Sequence, residues 1–143
     1  MTDDFYIYVK STDLQNVHNN KGGLFIVELP NIKHFNHHAY ETALMELTFK
    51  KNQEILDNIL ILLDIATFSV VGSQELPILR RLPLETLQTS WVHIIYNYPF
   101  YVPVSQTEVN KIAISIVHEA DKSVVDFSNS PVSLVLHFRR KLW

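Results

Sequence analysis

"SVVDFSNSPVSLVLHFRRKLW", residues 123–143, is the stretch whose reading decides the fold. Its second half alternates. Val132, Leu134, Leu136 and Phe138 fall on one face, and Ser133, Val135 and His137 on the other, the two-residue period of a strand with a buried side. Ahead of it, "NSP" reads as a turn and "VVDF" (124–127) as a short strand. Beyond it come Arg139, Arg140, Lys141 and Trp143. The stretch therefore predicts a β-strand over 132–138, with the look of a central one, and a basic tail over 139–143.

Outward from there the same period recurs. "FYIYV" (5–9) sets Phe5, Ile7 and Val9 against Tyr6 and Tyr8, and "HNNKGG" is a turn signal ahead of "GLFIVEL", which Pro30 is expected to end. "AYETALMELTF" sets Ala43, Met45, Leu47 and Phe49 against Thr42, Glu46 and Thr48. Its composition favours helix, but its alternation favours strand, and the alternation is followed. "NILILLDIATFSV" fits a buried helix or a strand, with Ile, Thr, Phe and Val leaning β. "WVHIIYNY" is a strand closed by Pro99, and "NKIAISIVHE" aligns Ile112, Ile114 and Ile116 on one face. About eight strands with polar turns and no long helix predict an all-β sandwich of two antiparallel four-stranded sheets. The immunoglobulin form lacks its cysteine pair here, and long connections such as 68–90 suit a single eight-stranded jelly roll, in which the first and last strands are neighbours.

Composition bounds the function. A chain of 143 residues with 47% hydrophobic and 19% charged residues is sized for one domain, read as 1–138 plus the tail 139–143. A net charge of −3 argues against a dedicated nucleic-acid binder. The absence of cysteine removes disulfides and thiolate metal sites. "MTDDF" opens with acids where a signal peptide needs bases, and the longest apolar run, "ILILL", is too short to span a bilayer. Synthesis in the cytosol and no membrane span are therefore expected.

Catalytic signatures are weak. "HFNHH" groups His34, His37 and His38 ahead of Glu41, a set of residue types able to hold zinc, but the spacing matches no metalloprotease motif and an exposed loop is the expectation. His93, His118 and His137 are isolated, without the His-x-His pairing of a cupin metal site. No phosphate loop or nucleophile elbow occurs. The expectation is no enzyme, no catalytic residue, no metal and no cofactor. Two dense cationic patches remain, "RRL" (80–82) and "RRK" (139–141). Each is either a solvated strand end or a weak, salt-sensitive contact to nucleic acid or an acidic neighbour. Trp143 is either a terminus or an interface anchor. The aromatic run Tyr96, Tyr98, Phe100, Tyr101 is core by default.

The C-terminal half, "PFYVPVSQTEVNKIAISIVHEADKSVVDFSNSPVSLVLHFRR", is similar to the ending of the penton (minor capsid) proteins of Polinton/Maverick elements and adintoviruses. The resemblance rests on the step Tyr101 to Val104, the isoleucines Ile112 to Ile116, the acidic turn at Asp121, the return Val125 to Phe127 and the closing Leu136 to Arg139. "LFIVELP", "YETALMELTF", "LDNI" and "LPILRRLPL" extend it more loosely over the N-terminal half. Tyr40 and Leu56 stand where the family has Trp, and Lys122-Ser123 and Asn129-Ser130 replace turn glycines. The resemblance implies a single jelly roll, five copies around an icosahedral vertex of a virion, and a separate major capsid protein as partner. No small-molecule substrate and no vertex spike are implied. Arg139, Arg140, Lys141 and Trp143 are the candidate contacts to a neighbouring subunit or packaged DNA. The alternative is a jelly-roll module binding carbohydrate or protein through the aromatics near Trp91 to Tyr101.

Overall fold

The computed structural model describes residues 4–11, 23–35, 39–51, 55, 58–84, 91–127 and 130–141. The strands among them are β1 (Phe5–Lys10), β2 (Leu24–His34), β3 (Tyr40–Lys50), β4 (Ile59–Leu63), β5 (Ser69–Val71), β6 (Gln74–Leu76), β7 (Ile78–Leu82), β8 (Trp91–Ile95), β9 (Val102–Pro103), β10 (Glu108–His118) and β11 (Ser133–Arg140). Two antiparallel sheets carry the fold, in the orders β1-β11-β3-β8 and β2-β10-β4-β7. The short β9 joins β3, and β5-β6 form a separate ribbon. Along the chain β1, β3, β8 and β11 alternate with partners in the opposite sheet, which is the jelly-roll winding. No helix among the described residues is long and apolar enough to cross a membrane, a statement that leaves β-barrels aside.

The closing strand is central, as the jelly-roll topology predicted. β11 pairs β1 from Phe5↔Phe138 to Lys10↔Ser133, and β3 from Ser133↔Thr48 to Arg140↔Tyr40. Its inward side chains Leu134, Leu136 and Phe138 meet Phe25, Phe49, Ile61 and Ile114 from both sheets in one core. Each such side chain contributes roughly 1.5–3 kcal/mol by leaving water. Phe138 stacks on Phe5 at 4.9 Å between centroids, and Phe35 packs on Tyr40 at 4.5 Å, closing one end of the sandwich.

Several expectations are corrected. The alternation of β3 breaks at a bulge between Val135/Leu136 of its partner and Glu46/Leu44, so Thr42 and Leu44 join the inward set with Leu47 and Phe49, while Met45 absorbs the shift. Pro30 does not end β2, because β2 is an edge strand and a proline there costs no ladder bond when its nitrogen faces outward. The 68–90 connection is not one loop; it carries β5, β6 and β7, and β7 supplies the eighth strand. "VVDF" makes only a single bridge, Val117↔Val124, although Val125 and Phe127 are fully buried. The run from Asn58 is not one strand but β4 over Ile59–Leu63 and then the start of β5 at Ser69, and the strand from Trp91 stops at Ile95. At the other end, β11 continues through Arg139 and Arg140, past the boundary drawn at 138.

Two turns depend on backbone detail. A Cβ at Gly23 would lie 2.3 Å from the carbonyl oxygen of Val125, so the approach of β2 to the 123–125 return requires glycine. Lys122 adopts φ 63°, the left-handed region that glycine enters most readily. Asp121 supports the turn by accepting from the Ser123 backbone N–H at 3.0 Å and from its hydroxyl at 2.7 Å.

Candidate assembly surface

Because side chains alternate along a strand, adjacent cations of a "RR" pair diverge. In β7, Arg81 faces out and makes a two-point pair with Glu119, which also accepts from Asn58 Nδ2 at 3.1 Å. Asn58 Oδ1 accepts from the Leu84 backbone N–H at 3.1 Å, so this cluster ties three segments at one end of the sandwich. These bonds hold the Glu119 carboxyl below the usual carboxylate range, the Arg81 bond most of all, then the Asn58 bond. Arg80 turns the other way. Its guanidinium lies between the rings of Tyr96, at 4.0 Å, and Phe100, at 3.8 Å. Its Nη1 and the Tyr96 hydroxyl are buried without a hydrogen-bond partner. Burial pushes the Tyr96 hydroxyl above the usual phenol range, with the Arg80 charge opposing.

Of the closing cations, Arg139 makes both kinds of contact. Arg139 stacks its guanidinium 3.4 Å over the Tyr101 ring, and its Nη2 lies 3.4 Å from Glu41 Oε2. Arg140 sits in the last ladder position opposite Tyr40, and the Lys141 backbone N–H donates to Ala39 at 2.8 Å. Arg139 and Arg140 are therefore strand residues, and Arg139 is engaged within the molecule. Trp143 lies outside the described residues.

Beside Arg139, His137 is nearly buried on the outer face of its sheet. Tyr6 stacks on it at 4.5 Å, the Tyr101 hydroxyl lies 2.7 Å from Nδ1, and Asp4 Oδ2 lies 3.3 Å from Nε2 without hydrogen-bond alignment. Ala43, opposite His137 on β3, leaves room for the imidazole to lie flat. Burial raises the Tyr101 hydroxyl above the usual phenol range, against the pull of Arg139. Sequence spacing does not disclose this cluster, since Tyr101 and His137 meet only through β9 and β11 on either side of β3.

The histidine-rich segment does not converge where it is described. His34 ends β2 with Nδ1 3.3 Å from Glu108, whereas Glu41 faces Arg139, and His37 and His38 lie outside the described residues. Among the described residues no group of three or more metal-ligating side chains gathers.

Exposed apolar side chains concentrate on the β1-β11-β3-β8 sheet and the loops beside it. Tyr6 and Tyr8 project from β1, and Ile95 with Trp91 from β8. Tyr98, at 85% exposure, and Phe100, at 63%, project from the loop after β8. The aromatic run thus divides: Tyr96 and Tyr101 are part of the packing, while Tyr98 and Phe100 face outward. An antiparallel sheet with one face in solvent ordinarily turns polar residues there.

The winding of two four-stranded antiparallel sheets defines a single jelly roll, with aromatic side chains exposed beside one of them. A solved structure with this fold is that of the mavirus penton protein, determined as a selenomethionine-labelled crystal structure. The TM-score is 0.65, and the match covers 96% of this chain and 100% of that chain at 7% sequence identity. The likeness is one of fold, and it falls on the class of protein to which the quoted motifs are similar. No protein-family model matches the chain, and no curated protein matches it.

Proposed function

We propose that this chain is a structural capsid protein, a penton-like subunit that works by self-association and without catalysis. The observation that carries the reading is the fold match over the full length of the mavirus penton protein. The sequence resemblance, which rests on different information, points to the same class. In this reading five copies close a ring at the five-fold vertices of an icosahedral particle, beside a major capsid protein of the same element. The subunits are made in the host cell and end in the virion. Contacts between copies are heterologous and ring-closing. Arg140, Lys141 and Trp143, with Arg139 behind them, contact an adjacent subunit or packaged DNA. Removing 139–143 takes two paired residues from β11, so a milder double variant, Arg140→Ser with Lys141→Ser, tests the contact: the account expects weaker ring assembly or DNA retention in it, and unchanged behaviour in both counts against the contact.

A second reading, a carbohydrate- or protein-binding module, draws on the exposed Trp91, Tyr98 and Phe100. Sedimentation over a wide concentration range, paired with a glycan array, separates the two. The capsid reading expects a concentration-dependent five-copy species and a blank array. A glycan-binding monomer supports the module.

A further inference from the structure

The two edges of the β1-β11-β3-β8 sheet are complementary to each other. The backbone N–H of Ser11 donates to Val132 across the β1-β11 ladder at 2.8 Å. Groups of one strand point alternately to its two sides, so Val9, Ile7 and Phe5 address β11, and Tyr6, Tyr8 and Lys10 address the edge that has no partner strand among the described residues, called the free edge below. On the opposite margin the N–H of Tyr96 donates to Met45 of β3 at 2.9 Å. By the same alternation Ile94 and Val92 address β3, and His93 and Ile95 address the free edge. The interior ladders agree: Leu134 is spoken for by β1 and Leu47 by β8, leaving Val135↔Glu46 and Ser133↔Thr48 as the bonded pairs between β11 and β3.

Three features make these edges fit. The sheet has an even number of strands along its path, all antiparallel, so β1 and β8 run in opposite directions. A copy placed beside the first by rotation about an axis along the strands therefore meets it antiparallel. On both edges the residues that offer free backbone groups are also those whose side chains face outward, so the pleat continues across the join. Tyr6, Tyr8 and Ile95 among them are exposed hydrophobics, Tyr8 at 75% and Ile95 at 59%, while Lys10 and His93 are polar and His93 lies 3.3 Å from Glu46. Phe5 and Ile7 on β1 and Ile94 on β8 are only partly buried at the sheet margins, and a neighbouring strand would cover them. Lysine occurs on both kinds of edge, Lys10 on β1 and Lys33 on β2, but β2 of the other sheet also carries Pro30, which has no N–H to offer an added strand.

We propose that the β8 edge of one copy of this chain pairs with the β1 edge of the next, antiparallel, with Tyr8 opposite His93 and Tyr6 opposite Ile95. This rests on the self-association proposed above, and it names the strands and the register that make it. The docked strand would add main-chain hydrogen bonds by β-augmentation, while the Tyr and Ile side chains set the register.

Hydrogen exchange on the wild-type protein, followed by NMR or fragment mass spectrometry at dilute and at assembling concentration, reads the contact directly. The expected result is slowing by about a hundredfold or more at the amides of Tyr6, Tyr8, His93 and Ile95 only in the assembled species. Tyr8→Pro and, separately, His93→Pro remove one outward donor without removing a ladder bond. Each is expected to keep the monomer's exchange pattern and weaken assembly at least tenfold. An assembly in which those four amides still exchange freely overturns this contact and leaves the capsid reading standing. Absence of any assembly at every concentration overturns both.

Discussion

Thr42 sits on β3 opposite Phe138, fully buried, and its hydroxyl finds no hydrogen-bond partner. A buried hydroxyl left unmatched is a standing cost, and an apolar group of the same shape removes it. Thr42→Val is expected to raise stability by about 1 kcal/mol, or the melting temperature by about 3–5 °C, in a thermal scan. Glu119 behaves oppositely, because its partners are in place. Arg81 and Asn58 lower its folded-state pKa, so the stabilisation is whole above the ordinary carboxyl value and is lost as pH falls through the lowered one. Asp121, held down by its bonds to Ser123, adds a contribution of the same sign. Between about pH 6 and about pH 3 the wild-type melting temperature should therefore fall further than that of Glu119→Gln, with Asp121 leaving a residual slope in the variant. Equal slopes in the two proteins would remove Glu119 from the account.

At the scale of the element, the turns that join the two sheets are the sensitive points. Gly23→Ala drives a Cβ into the Val125 carbonyl, a backbone atom that cannot rotate away, and is expected to cost about 2–3 kcal/mol in a denaturant titration. Lys122→Gly relieves the left-handed strain in the opposite direction, at the loss of the Lys122 side-chain bond to the Glu119 carbonyl, and should be neutral to about 1 kcal/mol stabilising. These elements also show what the sequence discloses. A period of two is a property of local chemistry, so β1, β10 and β11 are legible from Phe5, Ile112 and Leu134 outward, and with them the central place of the last strand. The bulge at Met45 is set by the partner strand, and nothing in "TALMEL" marks it. β5, β6 and β7 are three to five residues long, too short for a period to register, and Val125 and Phe127 are buried without a ladder. The surface is less legible still. The cationic pairs are visible as "RR", but their division between an ion pair and an aromatic stack follows from which side of the strand each residue faces.

At the scale of the whole molecule, the β1-β11-β3-β8 sheet turns exposed aromatics outward, and the two edges proposed to join copies lie at its margins. Joined as proposed, such copies would meet head to tail, the kind of contact that a closed ring of identical chains requires. The fold match to the mavirus penton protein and the sequence resemblance are the two supports of the proposed capsid role. The most direct test is cryo-electron microscopy of particles formed when this chain is produced together with the major capsid protein of its own element. The account predicts five copies of this sandwich filling each five-fold vertex. Closed vertices built without it, or particles in which it is absent, would contradict the account.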